Sequence, residues 1–167
     1  MDRGTRLSFS FEDLMRYHGP HSPGGVAHAF KVLELALPRL AGGEPPERRE
    51  IAIRTAFAGP GARDGFELVT RAVTGERYVV DPALARPARG RAAERFVFVL
   101  AHRTTEVTLA VRDGIVSDEF VDLARLERRS DEQEARLDAL KRDMAARVMA
   151  LPAAEVYAVE GRERRAT

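Results

Sequence analysis

The sequence predicts a single α+β domain: an N-terminal helix-loop-helix, a mostly antiparallel sheet with a hairpin, C-terminal helices and a short final strand. Three observations carry that prediction. Helical periodicity comes early and late: Val26, Phe30, Leu33 and Leu37 share one face, and Leu137, Leu140, Met144, Val148 and Leu151 form a second stripe. Between them, Ile51, Ile53, Thr55 and Phe57 alternate with polar residues, as do Val107, Leu109 and Val111, and Phe96 to Leu100 is a continuous apolar run. No internal repeat or second domain interrupts the 167 residues, a length that fits one core.

Each element follows from local chemistry. Residues 1–9 read as a loose lead-in. Ser10, with Glu12 and Asp13 behind it, caps a helix from Phe11 to about His18. Two prolines and three glycines between Gly19 and Gly25 forbid regular structure and predict a stiff loop. A helix follows from Gly25 to about Leu37, where Pro38 should kink or end it. A strand spans Ile51–Phe57, and a helix runs from Ala62 to Val73 with Gly75 as its left-handed stop. A short strand covers Arg77–Asp81. The stretch Ala83–Ala93 has the least pattern. Arg95–His102 and Glu106–Arg112 form a hairpin around Arg103-Thr104-Thr105, although no Asn-Gly or Asp-Gly is present. Ser117 caps a helix to about Arg128, and Ser130 caps another to about Ala150 that Pro152 stops. Val156–Val159 is the final strand. The domain proper is therefore expected over residues 10–161, with 162–167 as a tail.

Composition narrows the function. Lys+Arg total 27 and Asp+Glu 26, a net charge of +1, which lacks the basic excess of a nucleic-acid binder. Cysteine is absent, which excludes disulfides, thiolate metal sites and thiol nucleophiles. No apolar run approaches the ~20 residues needed to span a bilayer, and Met1–Ser10 lacks the apolar centre of a signal peptide. A cytoplasmic protein without membrane or nucleic-acid partners is the expectation.

The densest polar cluster is Tyr17-His18-Gly19-Pro20-His21-Ser22-Pro23-Gly24. His18 and His21 are candidate ligands or acid/base groups, and the helix start behind them favours an anion or acidic ligand. Asp64, just after Ala58-Gly59-Pro60-Gly61, is a candidate pocket carboxylate or a first-turn acid, and it pairs at i, i+3 with Glu67. His102, at a strand end beside Arg103, could face the same pocket, with its charged form disfavoured by that neighbour. His28 is either a further member or an ordinary helix histidine. The Arg86–Arg95 stretch is either a solvated loop or an anion-recognition segment. No nucleophile elbow, P-loop or dinucleotide fingerprint is present.

The block from Phe11 to Gly24 resembles the opening of the FmdE-like family, related to a component of formylmethanofuran dehydrogenase. There a helix leads into Phe-His-Gly-His-x-Cys-Pro-Gly; here His18, Gly19, Pro23 and Gly24 match, His21 stands one place late, and Ser22 takes the Cys position. The likeness continues in order through Ile51–Phe57, Gly61 and Asp64, Gly90-Arg91, and Leu151–Tyr157. The other two family Cys positions carry Gly61 and Ala72. The resemblance implies a metal, zinc, and a link to one-carbon or molybdenum/tungsten oxidoreductase metabolism; separately, Phe120, Leu123, Leu126 and the Leu137 stripe read as core or as a face covered by a second subunit, and a homodimer is expected. Without cysteine, the substitute metal ligands would be His18, His21 and Asp64. The expected site therefore comprises His18, His21, Ser22, Asp64 and His102 around a small molecule or metal ion. The alternatives are a hydrolytic or proton-transfer enzyme, with His18 or His21 as base and Asp64 as orienter, and a scaffold whose metal site has decayed.

Overall fold

In the computed structural model, which describes residues 1–164, one five-stranded sheet carries the fold. The elements are α1 (Phe11–His18), α2 (Pro23–Leu40), β1 (Ile51–Thr55), α3 (Pro60–Thr70), β2 (Tyr78–Val80), β3 (Val97–His102), β4 (Thr105–Val111), α4 (Asp118–Arg125), α5 (Asp131–Ala150), α6 (Ala153–Val156) and β5 (Tyr157–Arg164). Strand order is β2-β1-β3-β4-β5. Only the β1–β2 pair is parallel, because α3 carries the chain back across the sheet between them. The remaining pairs are antiparallel, so the architecture is α+β. Among the described residues, no helix is long and apolar enough to cross a membrane.

Period-two burial builds the core. Ile51, Ile53 and Thr55 of β1, Phe98 and Leu100 of β3, and Val107, Leu109 and Val111 of β4 all face inward. They meet Leu14, Val26, Ala29, Val32, Leu33, Ala36 and Phe66 from the helices. Each large side chain sealed this way contributes roughly 1.5–3 kcal/mol. α2 is buried far beyond its expected stripe, since Ala27, His28, Ala29, Leu35 and Ala36 are buried too. Small residues let it lie between α3 and α5 under the sheet.

Several boundaries differ from the sequence expectation. α2 starts at Pro23 and α3 at Pro60, because proline suits the first helical position, where its missing N–H costs nothing. Pro38 lies inside α2, which runs on to Leu40; in the last turn the lost hydrogen bond is tolerated. The left-handed stop of α3 is Arg71, at φ 55°, not Gly75. The two-residue hairpin turn forms with Arg103 at φ 52° in place of a glycine. β5 is eight residues long and its backbone pairs with β4 through Arg164, three residues into the expected tail. Residues 1–9 are pinned rather than loose: Asp2 bridges Thr5, Arg48 N–H donates to the Met1 carbonyl at 2.9 Å, and Asp2 takes Arg49 at 3.1 Å.

The starts of α2 and α3 cross at almost backbone contact. A Cβ on Gly61 would lie 2.4 Å from the Ser22 carbonyl, and one on Gly25 would lie 3.0 Å from the Ala62 nitrogen. This glycine crossing brings the histidine loop and the Gly59–Asp64 turn together.

A candidate cleft at two helix starts

His18 ends α1, and Gly19, at φ 88°, turns the chain away. The imidazole Nδ1 lies 2.8 Å from Asp64 Oδ2, on α3, one turn beyond Gly61. The two segments that the sequence singles out therefore do converge. The His18 side chain is nearly sealed at 7% exposure, and its Nε2 is buried without a hydrogen-bond partner. Arg63 stands 3.5 Å from the other oxygen of Asp64. Asp64 thus holds the ring through Nδ1 and leaves Nε2 as the nitrogen available for chemistry.

The remaining expected site residues do not join this pair. His21 lies exposed on the loop. His102 is buried at the opposite end of β3, with Nε2 3.4 Å from Glu50 and the C-terminal end of α2 beside it. The length of α2, roughly 27 Å at 1.5 Å per residue, lies between the His18 loop and that end. Burial chiefly, and Arg103 next, lower the His102 pKa. Glu67 turns away to accept the backbone N–H groups of Val73, at 2.7 Å, and Thr74, at 3.1 Å, so it closes the loop after α3 instead of pairing with Asp64.

Zinc needs about four N, S or O donors. Among the described residues no three His, Asp or Glu side chains stand close enough together to hold a metal. The chain has no cysteine, His21 stands apart, and the Asp64 oxygen nearest the ring is committed to Nδ1. The expected His18, His21 and Asp64 set is not assembled, and the residues present do not fit a zinc centre.

Ser22, by contrast, opens onto a cavity of about 390 Å³, shared with Gly25, Gly59, Pro60 and Gly61. Phe57 and Phe96, stacked at 4.4 Å, supply an aromatic floor, and Phe120, Leu137 and Met144 line it further. Arg91, Arg95, Arg125, Arg129 and Lys141 complete the wall, and among the described residues no carboxylate lines it. Behind Phe96 lies His28, 4.8 Å away and fully buried, with Nδ1 2.6 Å from the Tyr157 hydroxyl. Burial first, and the Arg147 charge second, lower the His28 pKa to about 3, so it is a neutral packing group.

A second cavity, about 400 Å³, lies under the N-terminal segment, but its lining is of mixed charge, with Arg6 and Arg48 alongside Glu34 and Glu44. Arg48 there is spent on the Leu68 and Val69 carbonyls at the end of α3. The cleft at the helix starts is the one with a marked chemical character.

Two of its cation sources, Arg91 and Arg95, lie in the Arg-rich stretch noted in the sequence. Arg125, Arg129 and Lys141 were not singled out there, since on a helix or its end they read as ordinary solvated charges. One signal does separate them. α1, α4 and α5 begin with a bonded serine cap and first-turn acids, whereas α2 and α3 begin with neither.

Comparison with models of known protein families finds no match for the chain, and comparison with curated proteins finds none either. What the fold and site define is an α+β domain with a cationic, aromatic-floored cleft.

Proposed function

We propose that the protein is a small-molecule-binding domain whose site is the cleft at the crossing of α2 and α3. The observation that carries this reading is the cleft's make-up: an apolar, partly aromatic floor with convergent polar groups, the usual anatomy of a ligand site. Two residues of its inner wall, Ser22 and Gly61, stand at positions that resemble the FmdE-like family. A role accessory to one-carbon or molybdenum/tungsten oxidoreductase metabolism joins the proposal through that resemblance, and a cytoplasmic setting and a homodimer are part of the same proposal. Sedimentation velocity reads the dimer directly.

The test is a thermal-shift screen of small molecules, zinc included, on the whole protein and on Ala124→Trp. Ala124 lines the cleft and is exposed, so the indole fills the mouth without entering the core. Stabilising compounds that lose their effect in this variant support the reading. Stabilisation that persists there places the ligand elsewhere and sinks it. Zinc stabilisation abolished by His18→Ala would favour the metal-binding form.

A second reading, proton transfer or hydrolysis, draws on the His18–Asp64 pair, in which an oriented imidazole presents an unpartnered Nε2. Turnover of a screened substrate that survives both His18→Ala and Asp64→Asn would exclude it.

A further inference from the structure

The charge on the cleft wall is one-sided in a protein that is otherwise balanced. Net charge over the chain is +1, yet among the described residues the cavity gathers five cations and no acid. Each cation has a carboxylate partner, and every one of those carboxylates lies outside the lining: Asp122 for Arg91, Glu94 for Arg95 and Arg125, Glu134 for Arg129, Asp138 for Lys141. Most of these partners are well exposed, so their ion pairs are weak and exchangeable.

The five are not equally free. Arg129 also donates to the Leu123 and Leu126 carbonyls and so finishes α4. Arg125 holds Glu94 tightly. Arg95 is the least committed, 3.8 Å from a Glu94 already taken by Arg125. Lys141 has only Asp138, one turn back on its own helix, and its backbone carbonyl packs on Gly24 at the start of α2. These two side chains can turn inward without dismantling the fold. The open first turns of α2 and α3 add partial positive charge on the same side.

Resting on the small-molecule reading of this cleft, we infer that its ligand is an organic phosphate with a flat, apolar body, held by Arg95 and Lys141 with the body on the Phe57–Phe96 floor. A phosphate is favoured over a single carboxylate because the two free cations approach from separate segments, Arg95 from the loop before β3 and Lys141 from α5, with the open starts of α2 and α3 in the same lining. A doubly charged group with three terminal oxygens can answer both cations and a helix start at once, whereas a flat carboxylate presents one edge. The floor suits a ring system, since Phe57 and Phe96 both line the cavity and a further ring can pack against aromatic side chains there.

The probe is 1-naphthyl phosphate, followed by its own fluorescence in a chain that has no tryptophan. Inorganic phosphate, 1-naphthol and 1-naphthoate are the comparison probes. Saturable binding of 1-naphthyl phosphate is expected, at least about tenfold tighter than any of the three, as charge-assisted hydrogen bonds warrant. The double variant Arg95→Gln, Lys141→Gln should lose at least about tenfold, and raising salt from about 0.05 to about 0.5 M should weaken the wild type more than the variant. An unchanged melting temperature in that variant shows that the loss is local. Equal binding by 1-naphthoate overturns the phosphate assignment, and equal binding by 1-naphthol overturns any anion site. Either result leaves the cleft a small-molecule site, provided that Ala124→Trp abolishes it. No saturable binding of 1-naphthyl phosphate overturns the inference, and the screen above then decides the wider reading.

Discussion

A histidine sealed among apolar side chains is held neutral by its surroundings, and that leaves a mark on stability. His28 has a folded pKa of about 3 against an ordinary 6.5, through burial and then Arg147. Above pH 6.5 it is neutral in both folded and unfolded chains, so its contribution is fully present. As pH falls below 6.5 the unfolded chain takes up a proton that the folded one refuses. Stability should therefore drop by up to about 1.4 kcal/mol per pH unit from this group, down to about pH 3. Urea unfolding between these limits measures the slope, and His28→Gln should flatten it. His18 and Asp64 offer a second residue-scale prediction. Asp64→Ala leaves both nitrogens of a nearly buried imidazole unpartnered. It should cost about 1 kcal/mol, discounted for the partial exposure of the carboxylate, and be read as a lower denaturation midpoint. At this scale the pairing of His18 with Asp64 could be anticipated from residue type and loop stiffness. His102 could not be placed, since nothing in a sequence tells which end of a strand faces which end of a helix. Tyr157 gave no sign of reaching His28, 129 residues earlier.

At the scale of elements, the glycine crossing of α2 and α3 is the tightest joint in the site. A methyl group at Gly61 would sit 2.4 Å from backbone, which cannot swing aside, whereas one at Gly25 would sit at 3.0 Å. Gly61→Ala should destabilise by about 2–3 kcal/mol and Gly25→Ala by less, as overpacking costs imply. Thermal unfolding of the pair ranks them, and the reverse order would mean that the joint relaxes by sliding α2. The starts of the serine-capped helices were legible to the residue: Ser10, Ser117 and Ser130 each accept a first-turn N–H, from Asp13, Phe120 and Gln133, although α4 ends at Arg125, three residues before the expected Arg128. The starts at Pro23 and Pro60 were read two residues late, because proline looks like a loop residue until the turn behind it is seen. The hairpin was legible from its alternating flanks, even though Arg103 takes the left-handed position usually given to glycine. The cleft was legible only in part. Its inner wall follows from the two glycine-proline segments, but its outer wall comes from α4 and α5, whose packing against those segments leaves no local pattern.

Over the whole molecule, α4 is tied down largely by charge. Arg91–Asp122 and Arg125–Glu94 hold it to the loop before β3, and Arg136–Glu119 holds it to α5, while Val121 is its one fully buried residue. Pairs this exposed weaken with salt. Trypsin cleavage at the arginines from Arg125 to Arg129 should therefore quicken as salt rises, relative to cleavage at the buried Arg48. An organic phosphate in the cleft should slow it again.

Tyr157 sits 1% exposed on the last strand, T-shaped against Phe98 at 5.7 Å and bonded to His28 near the beginning of the fold. A ribosome must therefore deliver the chain through Tyr157 before the hydrophobic centre can close. Nascent chains arrested before this tyrosine would present Phe98 and an orphaned imidazole to chaperones and proteases.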